Sequence, residues 1–266
     1  MKTIAQRIRR LTLESIYHAG SGHPGGCLSI VDILTTLYFE VMNIYPDEPN
    51  WEDRDRLVLS KGHACPALYA TLAIRGYFPE EELKGLRKLD GMLQGHPELS
   101  IPGIDAPSGS LGMGLSQGVG MALAAKHAGK DYKVYVILGD GDMQEGATWE
   151  ALMAAGNFKL SNLVVILDAN MFQGDGTVLK QMNYRPVRKK VINFGWTAAL
   201  IEGHSYAKIK TALTKSADLY DSPLFIVANT IKGKGVSFME NDNDWHGSVK
   251  MTQEQLDLSL EGLCTN

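Results

Sequence analysis

Short apolar runs alternate with amphipathic stretches along this chain, and the alternation predicts a parallel sheet. Four runs read as strands: LVLS at 57–60, KVYVILG at 133–139, NLVVILD at 162–168 and PLFIVANT at 223–230. The longer three are nearly continuous in apolar residues, as strands covered on both faces are. Between them lie helical patterns. Residues 4–18 carry a stripe at Ile4, Ile8, Leu11 and Ser15 or Ile16, and stop at HAGSGHPGG. Residues 27–42, CLSIVDILTTLYFEVM, are apolar around most of a helix and predict a buried one. Further helices are expected from His63 or Ala64 to Gly76, over PEEELKGLRKL with Pro79 at its first position, and over MQEGATWEALMAAGNF. Others are expected over 183–193 and over 205–217, the latter starting at Ser205.

Strands alternating with helices give the expected fold: α/β, a mostly parallel sheet with helices on both faces. One domain over 1–266 is expected, with an irregular tail after about 232. Residues 90–110 have no periodicity; a loop of that length in a compact domain usually serves a function. It carries His96 and leads into a glycine cluster at Gly109, Gly112, Gly114, Gly118 and Gly120.

Composition narrows the classes. Of 266 residues, 44% are hydrophobic, enough for a large core. The net charge of -4 gives no electrostatic case for nucleic acid or an anionic membrane, and no apolar stretch approaches the length of a membrane span. Three cysteines, Cys27, Cys65 and Cys264, form no CxxC pair, which speaks against a disulfide scaffold and for a reducing cytoplasm.

The chemistry concentrates at LGDGDMQEG, residues 138–146, where a predicted strand meets a predicted helix. Ligands of open α/β sheets bind outside the carboxyl ends of the strands, and a helix start offers free N–H groups to an anion. Asp140 stands at that edge, and Asn170 follows the next strand. Neighbouring strands lie about 4.8 Å apart, so the two side chains could share a cation. A carboxylate with an amide oxygen suits Mg²⁺ or Ca²⁺. A plain turn and a plain cap remain open readings of the two residues. Four histidines, His23, His63, His96 and His246, each stand beside or close to glycine at predicted element ends. Plain loop residues are one reading and proton-transfer groups another; no HExxH or HxH spacing supports zinc.

Six segments in order resemble the transketolase family: SGHPGG at 21–26, SKGHACPALYA at 60–70, GHPE at 95–98, GSLGMGLSQGVGMA at 109–122, GDGDMQEG at 139–146 and WHG at 245–247. The resemblance spans roughly residues 5–250 and implies a thiamine-diphosphate-binding domain of the kind that holds the diphosphate. It implies metal ligation by the side chains of Asp140 and Asn170 and the carbonyl of Phe172. It implies diphosphate contacts from Gly141, His63 and His246, with Gly109, Ser110, Leu111 and Gly112 along the cofactor. Ser110 stands where family members commonly have proline. His23 and His246 would bond substrate oxygens near the reacting carbon, His96 the donor hydroxyl, and His63 would lie between diphosphate and substrate channel. Glu145 would join a carboxylate network between two active sites at a dimer interface, with Glu150 a second candidate.

The implied reaction is transfer of a two-carbon ketol unit from a ketose phosphate to an aldose phosphate, as in the pentose phosphate pathway. The family's pyrimidine-binding domain, with the carboxylate that activates the cofactor, has no counterpart here. The sequence therefore resembles the N-terminal subunit of a split transketolase, paired with a C-terminal subunit, as two of each. A fragment of a longer enzyme is the competing expectation. So are a related thiamine-diphosphate subunit with another ketose donor, such as a 1-deoxyxylulose-5-phosphate synthase or a dihydroxyacetone-transferring relative, and a nonenzymatic metal-binding α/β module.

Overall fold

The apolar runs become the centre of the molecule. In the computed structural model, which describes residues 1–215 and 221–265, β1 (Arg56–Leu59), β2 (Val134–Gly139), β3 (Leu163–Ala169), β6 (Thr197–Glu202) and β7 (Leu224–Asn229) form one sheet. Its order is β1-β2-β3-β7-β6, and every pairing is parallel. A two-stranded hairpin of β4 (Phe172–Gln173) and β5 (Gly176–Thr177) stands apart from it.

Because successive strand side chains point to opposite faces, each run feeds two cores. Tyr135, Ile137, Val164, Ile166 and Ile226 pack on one side with α1 (Lys2–Ala19), α3 (Val31–Thr36), α4 (Cys65–Arg75) and α9 (Tyr206–Lys215). Val134, Val136, Leu138, Val165, Leu167 and Val227 pack on the other with α5 (Met113–Ala128), α6 (Gly146–Asn157) and α8 (Val187–Asn193). Gly118 lets α5 press onto β2, since a Cβ there would come 2.4 Å from Val136 Cγ2. Among the described residues, no helix is long and apolar enough to cross a membrane.

Several expectations need correction. The helix expected over 27–42 is broken into α2 (Pro24–Leu28), α3 and a π-helical turn at Leu37–Val41. At the break the Ser29 hydroxyl bonds the Gly26 carbonyl at 3.1 Å and Asp168 Oδ2 at 2.7 Å, a side-chain competition that ends the first segment. PEEELKGLRKL gives only 3₁₀ turns at Glu80–Gly85; Leu83 is buried but Leu89 is 96% exposed, so there is no continuous stripe to hold an α-helix. The helix expected over 183–193 begins only at Val187, with a separate turn α7 (Val178–Gln181) before it. The tail after 232 is irregular only in part: it ends in α10 (Gln253–Thr265), which packs on α1. The helix expected over 205–217 is described as far as Lys215; 216 and 217 lie outside the described residues.

Candidate functional site

Strand register sets the first pair. Gly139 at the end of β2 pairs with Asp168 near the end of β3, so Asp140 and Asn170 leave the same edge of the sheet side by side. They line one cavity together with Phe172 of the hairpin, Gly141, Leu111, His63 and His246. Asp140 is 2% exposed. Its Oδ2 accepts the Met171 N–H at 2.7 Å and its Oδ1 accepts the Tyr184 hydroxyl at 2.5 Å. Burial, opposed by the Tyr184 hydrogen bond, pushes its pKa up to about 7. Asn170 is held through both ends of its amide: Nδ2 donates to Asp168 Oδ2 at 2.8 Å and Oδ1 accepts the Phe172 N–H at 3.1 Å.

Two buried aspartates that the sequence did not single out build the floor. Asp168 takes hydrogen bonds from Lys61 Nζ at 2.6 Å, from Ser29 at 2.7 Å, from Asn170 and from the Thr230 hydroxyl. Asp142 ties the glycine cluster to the GDG turn: Oδ1 accepts from Gly112 N–H at 2.8 Å and Ser60 at 2.6 Å, Oδ2 from Gly139 N–H at 2.8 Å. Of the segment Gly109–Gly112, Leu111 reaches the cavity, while Gly109 and Ser110 are exposed.

Two lysines also enter the site unannounced. Lys61 (2% exposed) and Lys232 (1% exposed) both line the cavity. Lys232 Nζ donates to Asn243 Oδ1 and to His246 Nδ1, each at 2.9 Å. Burial, and then the nearby Lys61 charge, lowers its pKa to about 8. A signal existed: a lysine directly after an apolar strand in SKGH, and an aspartate closing NLVVILD.

Three of the four histidines form a cluster. Ring centroids are 5.0 Å apart for His23 and His63, 5.6 Å for His63 and His246, and 6.0 Å for His23 and His246. His96 stands farther along, against Gly109, where a Cβ would come 3.5 Å from its Cδ2. Burial lowers all four pKa values, that of His23 to about 4 and that of His246 to about 3, so these rings are neutral at pH 7. Since Lys232 donates to His246 Nδ1, the His246 proton sits on Nε2. His23 Nδ1 is buried without a hydrogen-bond partner. His204, by contrast, is a strut: its Nε2 accepts the Ile231 N–H at 2.8 Å, leaving Nδ1–H for Asp32 at 2.8 Å.

Glu145 lies at the start of α6 and is exposed on this chain, as is Glu150. Among the described residues no group of three His, Cys, Asp or Glu side chains is placed to hold a metal. A cation at Asp140 and Asn170 would thus need oxygens from a carbonyl and from its ligand. The donor set fits such an arrangement. Asp140 is a buried carboxylate whose hydrogen bonds come from neutral donors, and Lys232 is a buried ammonium; a divalent cation and a diphosphate would offset the two desolvation costs.

Known proteins resemble this chain in sequence and in fold. Residues 1–259 match the family described as "Transketolase, thiamine diphosphate binding domain". The chain is 40% identical over 250 residues to one of the subunits of the apulose-4-phosphate transketolase of Phocaeicola vulgatus, covering 94% of this chain and 89% of that one. It is 45% identical over 251 residues to a 6-deoxy-6-sulfo-D-fructose transketolase subunit from a Clostridium species, covering 94% and 91%. Human transketolase is 39% identical over 248 residues, which are 93% of this chain but only 39% of the human protein. The crystal structure of Campylobacter jejuni transketolase superposes with a TM-score of 0.92 at 35% identity, covering 98% of this chain and 43% of that chain.

Proposed function

The chain belongs to the transketolase family through its thiamine-diphosphate-binding domain, and from that premise we propose that it is the diphosphate-binding subunit of a two-chain ketol transferase. Family membership makes it part of a thiamine-diphosphate-dependent transferase. Two relatives support the two-chain form: both are named as subunits, and the match covers 89% and 91% of their length. The partner would be a C-terminal subunit carrying the pyrimidine-binding domain, with sugar phosphates or their analogues as substrates.

The donor follows the alternative raised by the sequence rather than its main reading. Those same two relatives are named for apulose 4-phosphate and for 6-deoxy-6-sulfo-D-fructose. They favour a ketose donor other than xylulose 5-phosphate.

The observation that carries the reading is the pairing of Asp140 and Asn170 on adjacent strand ends, with Asn170 held by the buried Asp168 and Asp140 by Met171 and Tyr184. Asp140, Asn170 and the Phe172 carbonyl would hold the divalent cation. Gly141, His63, Lys61 and Lys232 would receive the diphosphate, the lysines supplying the charge that a dianion or trianion needs. When bound, thiamine diphosphate supplies the nucleophilic carbon and the electron sink. The chain's own part is orientation and proton handling. His246 offers Nε2–H to an oxygen on the substrate, and His23, beside it in the cluster, would bond a second substrate oxygen. Neutral imidazoles in a desolvated site stabilise developing oxyanions by hydrogen bonding, and can accept a proton without first losing one. His96 would hold the donor hydroxyl. Glu145 would be covered by a second copy.

The test is a donor panel on the assembled enzyme: apulose 4-phosphate, 6-deoxy-6-sulfofructose, fructose 6-phosphate and xylulose 5-phosphate, with product aldoses resolved by mass. Turnover of one of the first two at least tenfold above xylulose 5-phosphate is expected. A clear preference for xylulose 5-phosphate returns the chain to the ordinary transketolase reaction, and no ketol transfer from any donor removes the reading.

A further inference from the structure

Tyr184 is buried, at 4% exposure, and its ring packs in the second core with Val187, Val191 and Val178. A phenylalanine would serve that packing. The hydroxyl needs a partner when buried, and the partner here is a carboxylate, Asp140 Oδ1, at 2.5 Å. Oδ2 of the same carboxylate takes the Met171 N–H at 2.7 Å. One donor on each oxygen fixes the plane of the carboxylate and leaves each oxygen a further lone pair. The segment bearing Tyr184 is itself pinned: Lys190 Nζ donates to the Tyr184 carbonyl at 2.8 Å, and Gln144, beside the GDG turn, donates to the Met182 carbonyl at 3.0 Å.

We propose that Tyr184 is a positioning residue of the metal site, its hydroxyl orienting Asp140 toward the cation. The proposal rests on the reading of Asp140 as a metal ligand. Outer partners of metal ligands typically contribute about 10–100-fold in affinity. Without the hydroxyl, Asp140 keeps one donor and can rotate about its last bond, so the cation must order it on binding.

The probe is Mn²⁺, titrated into the assembled enzyme with excess thiamine diphosphate and followed by the paramagnetic resonance signal of free Mn²⁺. Tyr184→Phe is expected to weaken Mn²⁺ binding at least tenfold while moving the melting temperature of the metal-free protein little. Val187→Ala thins the same packing and keeps the hydroxyl; it is expected to lower the melting temperature and keep Mn²⁺ affinity within twofold. Wild-type affinity in Tyr184→Phe overturns the proposal while leaving the metal site standing. So does a loss of affinity that tracks the loss of stability in both variants. If the wild type itself binds no Mn²⁺, the metal site and this proposal fall together.

Discussion

Lys61 Nζ and Asp168 Oδ2 meet 2.6 Å apart with side-chain exposures of 2% and 0%. The pair joins the end of β1 to the end of β3 beneath the cavity, and Lys61 also donates to the Gly26 carbonyl at 2.9 Å. Removing one member of such a pair leaves the other charge buried, at a cost of about 3–5 kcal/mol. Three hydroxyl or amide donors remain on Asp168, so the lower end is expected here. Lys61→Met should therefore lower the melting temperature by several degrees and weaken cofactor binding, measured by scanning calorimetry and by titration. Unchanged stability would show that the pair does not hold the floor.

Asp140 gives a pH test with a definite sign. Its folded pKa is raised from 3.8 to about 7, so between those values the folded chain holds a proton that the unfolded chain has released. The group's contribution is fully present below pH 3.8 and is lost as pH rises through 7. The metal-free wild type should thus lose stability relative to Asp140→Asn between about pH 4 and 7 and run parallel to it above that, while the variant loses metal-dependent cofactor binding. His23 and His246 act in the opposite sense: the unfolded chain takes up protons below 6.5 that the folded rings refuse, so both proteins should weaken together toward pH 4. Melting temperatures across this range separate the two effects. Parallel curves for both proteins throughout would contradict the assignment to Asp140.

How much of this is legible in the sequence depends on what signals a residue sends. The apolar runs of β2, β3 and β7 are buried along almost their whole length, and their strand type follows from those runs, though their order in the sheet does not. TAALIE does not announce itself as a strand because β6 is an edge: only one neighbour pairs with it, and Leu200 is 50% exposed. Asp140 and Asn170 are visible because their position after strands has a geometric meaning. Lys61 and Asp168 also stand at strand ends, but that signal is weak because a charged residue there is ordinarily solvated, and Lys232 and Asp142 send none; burial comes from tertiary neighbours, 35 to 107 residues away in the case of Lys61.

His96 separates binding from turnover. It stands against Gly109, beyond the cavity that holds Asp140, Asn170 and His246. His96→Ala should keep cofactor affinity within about twofold and cut donor turnover by roughly 10²–10⁴, the span typical of a positioned hydrogen-bonding or proton-transfer group. Comparing calorimetric affinity with steady-state rates checks this; equal losses in both would assign His96 to the cofactor site instead.

Gly247 permits the histidine cluster. A Cβ at this position would come 2.6 Å from His23 Cδ2 and Nε2, closer than any ordinary contact. Gly247→Ala is expected to displace the His23 ring, lower kcat at least tenfold and leave the melting temperature within about two degrees, because 247 lies in an irregular segment outside both cores. A variant with unchanged kcat would show that the His23 position is not critical.

If Asp140 and Asn170 hold a divalent cation that in turn holds the diphosphate end of the cofactor, cofactor binding must depend on both the metal and the carboxylate. Calorimetric titration of thiamine diphosphate into the assembled enzyme, with Mg²⁺ and with a chelator, for the wild type and for Asp140→Ala, reads both dependences at once. The expected result is saturable binding that requires Mg²⁺ and disappears in Asp140→Ala. Binding that survives the chelator, or that is equally tight in Asp140→Ala, would contradict it.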